Sequence, residues 1–205
     1  MIGALIARDI RRGSTGATWL PAGFFLLVVA LLPFAVGPDR QLLNRIGSGV
    51  LWIAALTAAL LPVERLIEPD RADGVLDQLS LHGIADESVG FAKMIAHWLT
   101  FGPLMLVSAA CGAALLSMDE RTLIATEIAL AIGTPGLAAL AVTIAAVTSG
   151  LPRASSLAAL LLLPLAVPLL IFGAANAWTL EAAVSLFLTA GAPFVTGAAI
   201  RAART

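Results

Sequence analysis

Charged side chains are scarce in this chain, and their scarcity excludes a water-soluble fold. Only 12% of the 205 residues are charged, whereas 60% are hydrophobic, and the mean hydropathy is +0.97. A soluble domain is about half apolar and needs a much larger charged surface. The composition therefore predicts a polytopic membrane protein that forms a single domain, residues 1–205.

Residues with reactive or metal-binding side chains are also few. The single cysteine, Cys111, cannot form an internal disulfide, and its apolar surroundings favour a packing role. The two histidines lie far from it, which excludes a zinc motif. The only lysine, Lys93, does not follow a glycine-rich turn, so there is no Walker A loop. These absences argue against an enzyme, and we expect neither catalytic residues nor a metal site.

Long hydrophobic runs are what the sequence has instead. A helix needs about 20 apolar residues to cross a bilayer. The runs are continuous rather than alternating, which favours helices over a β-barrel. Six candidate spans follow: Thr18–Val36, Ile46–Val63, Met94–Met118, Thr122–Leu151, Ala154–Ala175 and Ala182–Ile200. We therefore predict an all-α membrane protein with six transmembrane helices.

The basic residues indicate how these helices are oriented. Nine lie on the side of both termini: Arg8, Arg11, Arg12, Arg65, Arg71, Lys93, Arg153, Arg201 and Arg204. Three lie on the other side: Arg40, Arg45 and Arg121. Because basic loops stay on the cytoplasmic side of a membrane, we expect both termini in the cytoplasm.

The N-terminal segment, residues 1–14, has the pattern of a short amphipathic helix. Four apolar residues can share one face: Ile2, Leu5, Ile6 and Ile10. Arginines lie nearer the other face, so we expect the helix to lie in the membrane interface. A signal peptide is disfavoured, because no small-residue cleavage site follows the first long apolar run.

Carboxylates are concentrated in the loop between the second and third spans, residues 64–93. They are Glu64, Glu68, Asp70, Asp73, Asp77, Asp86 and Glu87. Asp73 can cap a helix that begins near Gly74, and Gly83 can end it. An apolar face would then comprise Val75, Leu76 and Leu79. Because a short helix is marginal in water, this face needs something to pack on; the alternative is a solvated connection without a partner.

Several short stretches, in order along nearly the whole chain, carry a family resemblance. They are residues 37–38 and 41–43, 46–56 (IGSGVLWIAAL), 64–66, 73–79 (DGVLDQL), 92–98 (AKMIAHW), 133–135 and 163–172 (LPLAVPLLIF). The chain resembles the CcmB family, the membrane permease subunit of the bacterial ABC-type haem exporter used in cytochrome c maturation. The pattern in residues 64–79 alone is less specific and is similar to the coupling segment of the wider ABC-2-type permease group.

The resemblance implies a role for the loop of residues 64–93. In such permeases this loop forms a coupling helix that seats in a groove on a separate ATP-hydrolysing subunit. The residues implied at this interface are Glu64, Arg65, Asp70, Asp73, Gly74, Val75, Leu76, Asp77, Gln78 and Leu79. Their carboxylates would pair with basic residues of the ATPase, and the apolar ones would fill the floor of its groove.

The resemblance also implies a complex in the bacterial inner membrane. Its expected members are a second copy of this chain, two ATPases, a haem-handling membrane subunit, a small single-span subunit and a periplasmic haem chaperone, with no nucleic acid. Such a complex either moves haem or uses ATP to release the haem-loaded chaperone. Two alternatives stay open: a permease for a lipid or other substrate, and a non-conducting scaffold that links the ATPase to the haem-handling subunit.

Few residues are candidates for binding haem directly. His97 begins the third span beside Trp98 and is a candidate haem ligand, but an interfacial histidine beside a belt tryptophan is favoured. His82 is expected at the end of the coupling helix, and Glu127 near the outer interface. The chain has no tyrosine, which excludes a tyrosine ligand. We therefore expect no cofactor on this chain, with haem as a cargo and ATP on the partner.

The orientation gives the first testable prediction. In a background with Cys111 replaced, a membrane-impermeant thiol reagent added to intact cells should label a cysteine placed at Gln41, because residues 37–45 and 118–121 are predicted to be periplasmic. A cysteine at Ser88 should stay unlabelled, because residues 65–93 are predicted to be cytoplasmic. Labelling at Ser88 without labelling at Gln41 would overturn the orientation.

Overall fold

The computed structural model describes residues 2–13, 19–151 and 154–204, and these residues fold into helices without a strand. The helices in these ranges are α1 (Ile2–Gly13), α2 (Leu20–Val36), α3 (Arg40–Leu60), α4 (Val63–Leu66), α5 (Glu68–Ala72), α6 (Val75–Leu81), α7 (Asp86–Leu115), α8 (Glu120–Thr148), α9 (Ala154–Ala174) and α10 (Trp178–Ala202). Five residues used in the sequence predictions lie outside the described residues: Met1, Ser14, Thr18, Arg153 and Thr205.

Five of the described helices are long and apolar enough to cross a membrane. They are α3, α7, α8, residues 156–174 of α9, and α10. Helix α2 is also strongly apolar, but its 17 residues make it shorter than a typical span of about 20. The helices support the predicted class, a polytopic all-α membrane protein, while the sixth span stays a prediction.

Several long helices begin before the apolar runs from which they were predicted. Helix α3 begins at Arg40 rather than near residue 46, because Asp39 caps it and accepts hydrogen bonds from the amides of Gln41 and Leu42. Asp119 caps α8 through the amide of Thr122. An aspartate at this position satisfies backbone N–H groups that have no partner inside the helix. Hydropathy finds the apolar part of a helix, whereas the cap decides where the helix begins.

Helix α8 is the centre of the bundle and packs against α7, α9 and α10. Its buried face is rich in glycine and alanine, which allows neighbouring helices to approach closely. Trp52 of α3 is fully buried where three helices meet. Its indole lies against Gly133 of α8 and Gly173 of α9, where an added Cβ would be 2.3 Å and 2.2 Å from the ring.

One end of the bundle gathers segments that are far apart in sequence. Helix α1, the segment from Leu61 to Ala85, the residues that follow α8 and the end of α10 meet there through ion pairs and hydrogen bonds. At the opposite end Asn44 donates to Asp119 at 2.6 Å. Asn44 and Thr122 together hold the pKa of Asp119 at about 2. The two ends therefore differ in the number of distant segments that they join. The end at which α1 and the segment from Leu61 to Ala85 meet carries the candidate site.

The packing around Trp52 predicts a large effect of one methyl group. Gly173→Ala should destabilise the bundle by about 1–3 kcal/mol, because the new Cβ would overlap a fully buried indole that has little room to move. Thermal unfolding of the purified protein in detergent measures this effect. Gly191→Ala in α10 is the matched control, since nothing lies within 4 Å of its Cβ position. Equal unfolding temperatures for the two variants would contradict the packing.

Candidate functional site

The segment between α3 and α7 folds as three short helices, α4, α5 and α6, where the sequence predicts one. Two glycines with positive φ bound the last of them: Gly74 at +68° begins α6, and Gly83 at +75° follows its end. The predicted helix near residues 74–83 is therefore present. Its predicted cap is wrong, because Gly74 occupies the cap position without a side-chain hydrogen bond, while Asp73 ends α5.

Asp70 is the charged residue of this segment, residues 61–85, that is buried. Its carboxylate is 2% exposed and pairs with three cations: Arg8 and Arg12 at 2.6 Å each, and Lys93 at 2.5 Å. Lys93 is itself 6% exposed and also approaches Asp9 at 3.3 Å. This ion cluster joins α1, α5 and the first third of α7.

The charges around Asp70 outweigh the cost of its burial. Burial by itself would raise the pKa of Asp70, but the charges of Lys93, Arg8 and Arg12 outweigh it and hold the pKa below its ordinary value. A buried carboxylate needs such partners, because an unpaired buried charge is costly. The position of Asp70 thus differs from the partner-facing one that the sequence predicts.

Two further contacts fix the segment to the bundle. Glu68 accepts hydrogen bonds from Arg71, from the hydroxyl of Ser149 at 2.8 Å and from the amide of Gly150 at 2.9 Å. The hydrogen bonds from Arg71, with those from Ser149 and Gly150, lower the pKa of Glu68 to about 2. The segment is thereby attached to the end of α8 and to the residues that follow it.

Arg204, just beyond α10, makes the other contact. Its guanidinium donates to both carboxylate oxygens of Asp86 at 2.8 and 2.9 Å, to Asp77 at 3.0 Å, and to the carbonyl of Leu76 at 2.8 Å. A bidentate pair of this kind fixes direction as well as distance. The end of α10 therefore holds α6 against the start of α7.

The ten residues predicted for a partner interface all lie in this segment, but only half of them are exposed. The exposed ones are Glu64, Arg65, Asp73, Asp77 and Gln78, and the half-buried ones are Gly74, Val75 and Leu79. Leu76 is 5% exposed and packs inside the chain, as Asp70 does. The apolar face of α6 thus covers this chain's own core.

The apolar side chain that α6 presents to solvent is Leu81, which is 87% exposed and which sequence reasoning missed. The sequence nevertheless contains a signal that Leu81 is exposed. Leu81 lies five residues after Leu76, which at 3.6 residues per turn places it about 140° away around the helix. A leucine off the apolar face of a surface helix is a candidate contact residue.

The two histidines occupy different environments. His82 is exposed at the end of α6, as predicted, and its Nδ1 lies 2.7 Å from the carbonyl of Gln78. His97 is buried rather than interfacial, and its ring packs on Phe101 with centroids 5.4 Å apart. Its Nε2 is covered by protein and has no hydrogen-bond partner among the described residues. His97 lines a cavity of about 410 Å³ beside the ion cluster.

Acidic residues at the opposite end of the bundle do not belong to this site. Glu127 is half-buried, with one oxygen that lacks a partner in the described part of the chain. Glu181 is fully buried in the first turn of α10, where Oε1 would be 2.5 Å from a Cβ at Gly133. The sequence analysis began the last span at Ala182 and so missed Glu181. In residues 2–13, 19–151 and 154–204 no cluster of His, Cys, Asp and Glu is arranged to hold a metal ion.

Comparison with known proteins gives matches over almost the whole chain. The family model described as "CcmB protein" matches residues 1–203. The chain is 42% identical to "Heme exporter protein B" of Rhodobacter capsulatus, with 97% of each chain covered. It is 40% identical to the protein of the same name from Bradyrhizobium diazoefficiens, over 94% of this chain and 86% of that one, and 40% identical to that of Escherichia coli K12, over 88% of each.

The ion cluster predicts a strong effect of Asp70→Asn. The amide would leave three cations without their shared carboxylate, so the variant should lose about 3 kcal/mol or more of stability. Thermal unfolding in detergent and protease cleavage of α1 measure the loss. Asp77→Asn is the matched control, because its pair with Arg204 is mostly exposed and should contribute at most about 1 kcal/mol.

The pH dependence has a defined sign. Because the folded pKa of Asp70 lies below its unfolded value of about 4, its stabilisation is complete above that pH and is lost as the pH falls through the folded pKa. The difference in stability between the original protein and Asp70→Asn should therefore shrink below about pH 4. A difference that is unchanged by pH, or equal losses for Asp70→Asn and Asp77→Asn, would contradict the cluster.

Proposed function

Because the chain belongs to the CcmB family, we propose that it is the membrane permease subunit of a bacterial ABC-type haem export complex that serves c-type cytochrome biogenesis. The observation that carries this proposal is the similarity to proteins named Heme exporter protein B along nearly the full chain. The chain acts as a transport subunit rather than an enzyme, and a separate ATPase subunit hydrolyses ATP.

The cytoplasmic segment offers the ATPase a defined docking surface. This docking surface comprises the exposed residues Asp73, Asp77, Gln78 and Leu81, with Glu64 and Arg65 beside them. Leu81 supplies an apolar side chain that enters a groove, and the surrounding charges set orientation and association rate. Leu76 and Asp70 act from inside the chain by holding the surface in place.

The attachments of this segment support a mechanism for coupling. Its helices are tied to α1 and α7 through Asp70, to the α8 end through Glu68 and to the α10 end through Arg204. A displacement of α6 by the ATPase would therefore tend to move several long helices together, because several ion pairs and hydrogen bonds would have to break before α6 could move alone. A single flexible tether would transmit no such motion.

Contacts at the candidate site support six spans. Leu20 at the start of α2 and Leu61 after α3 line the same cavity, so α2 leaves this end of the bundle and α3 returns to it. With the five longer helices, this makes six crossings and puts both termini on one side. The excess of basic residues supports the cytoplasm as that side, and the similarity to the bacterial relatives supports the inner membrane.

The wider assembly follows from the family. We expect a second copy of this chain, two ATPases, a haem-handling membrane subunit, a small single-span subunit and a periplasmic haem chaperone. Large apolar side chains such as Leu186, Phe187 and Phe194 are exposed on α10, where lipid or the second copy would cover them. The complex either moves haem as its cargo or uses ATP to release the haem-loaded chaperone.

The docking surface gives a direct test. Leu81→Asp should reduce co-purification of the ATPase in detergent by about tenfold or more, because it places an unpaired charge in an apolar groove, and Leu81→Ala should reduce it less. Levels of haem-loaded c-type cytochrome should fall in parallel. The variant should still fold, since Leu81 makes little contact with its own chain. Leu76→Asp is unsuitable, because Leu76 is buried in this chain.

Gln41→Asp is the matched control, because it adds a carboxylate at an exposed position at the opposite end of the bundle. It should leave both co-purification and cytochrome maturation unchanged. If Leu81→Asp binds the ATPase normally and supports full maturation, the segment is only a connection between helices. The proposed coupling would then be lost.

A further inference from the structure

A cavity of about 410 Å³ opens beside the ion cluster, between α1, the start of α2, the segment after α3, and α7. One wall is apolar and includes Leu20, Leu61, Phe101 and Leu104. The other carries charged side chains, with Arg65 and Lys93 among them. The volume lies within the range of about 300–1,000 Å³ that is usual for small-molecule sites. A cavity with one apolar wall and one charged wall suits an amphiphilic ligand, which has an apolar part and a charged part.

The charges on this cavity indicate the sign of the ligand. In the ion cluster, the cations Arg8, Arg12 and Lys93 outnumber the carboxylates Asp9 and Asp70 by three to two. Arg8 does not line the cavity, and the charged side chains that do line it balance: Arg12, Arg65 and Lys93 against Asp9, Asp70 and Asp73. Because Asp9 and Asp70 are already paired within the cluster, Asp73 is the carboxylate left for a ligand among the described lining residues, against the donors of Arg65 and the spare donors of Arg12, which gives a surplus of cationic donors. This surplus favours an anionic group.

Arg65 is the cation best placed to receive that group. It is exposed, it lines the cavity, and it makes no ion pair within the part of the chain that the structure describes. Lys93 is already committed to Asp70 and is almost fully buried. Arg12 uses one nitrogen for Asp70 but is about half exposed, so its other donors remain available. A guanidinium binds a carboxylate or a phosphate with two parallel hydrogen bonds.

We infer that this cavity binds an anionic amphiphile, with its acidic group on Arg65 and Arg12 and its apolar body along Leu20, Leu61 and Leu104. A neutral amphiphile would leave Arg65 unpaired, and a small hydrophilic anion would leave the apolar wall bare. Two compounds share the required chemistry: haem, through its propionates, and an anionic phospholipid. The haem version rests on the proposed function, whereas the site itself rests on the cavity and its charges. It needs no iron ligation by His97, whose Nε2 is covered by protein.

The test uses the purified full-length chain in a neutral detergent. Haem is titrated and followed by its Soret absorbance, and phosphatidylglycerol or phosphatidylcholine with the same acyl chains is added as competitor. Retention of each phospholipid is measured separately by native mass spectrometry. Arg65→Gln should weaken binding of the anionic ligand about tenfold or more, because one charge-assisted contact is lost. Arg121→Gln, an exposed arginine outside the cavity, is the matched control and should change nothing.

A second variant tests the position of the site without changing charge. Thr100→Phe fills part of the cavity, because Thr100 lines it and is only half-buried, so it should weaken binding of the same ligand. Helicity and unfolding temperature confirm that each variant is folded. Saturable haem binding that phosphatidylglycerol does not displace identifies haem as the ligand. Retention of phosphatidylglycerol over phosphatidylcholine, with displacement of haem, identifies the lipid.

Three outcomes would overturn the inference. They are no saturable binding of either probe, equal effects of Arg65→Gln and Arg121→Gln, and displacement of haem by phosphatidylcholine as effectively as by phosphatidylglycerol. Cytochrome maturation in cells is scored independently. Normal maturation without binding at this cavity rejects the site and leaves the proposed function intact. Binding at the cavity in a chain that supports no maturation rejects the proposed function and leaves the site intact.

Discussion

The burial of one carboxylate constrains this structure more than any other single feature. Asp70 lies out of water, where an unpaired charge would be costly, and the chain supplies Arg8, Arg12 and Lys93 to stabilise it. Those cations come from α1 and α7, so satisfying one side chain fixes the relative positions of three elements. The shape of the cavity and the orientation of the proposed docking surface both depend on this cluster.

The attachments of the segment to α8 and α10 extend this constraint. Glu68 and Arg204 each bond to more than one neighbour, so the short helices α4, α5 and α6 belong to the bundle rather than to a loop. Helices of four to seven residues would not be stable in isolation. Their stability comes from this packing, and in the proposed coupling the same packing would transmit a partner's movement to the long helices.

The membrane part of the bundle depends on a different interaction. Lipid provides no hydrophobic driving force between apolar helices, so close packing of small residues has to hold them together. Gly133 and Gly173 allow α8 and α9 to pack closely against the indole of Trp52. This contact holds α3 between α8 and α9. Such close packing resists independent movement of the helices, so in the proposed coupling a force applied at the end that carries α6 would act on whole spans.

The sequence by itself determined the class of this protein, its long helices and its family, because apolar runs and motifs are local properties of a chain. It also placed a helix near residues 74–83, since glycines with suitable spacing mark its ends. The tertiary structure alone decided which of those residues face outward. Leu76 and Asp70 look suited to a partner in the sequence but are buried, and Leu81 is exposed instead. The burial of these residues depends on α1, α7 and α10, which lie far away in the chain. Helical periodicity carries no information about which part of the protein packs against a helix face.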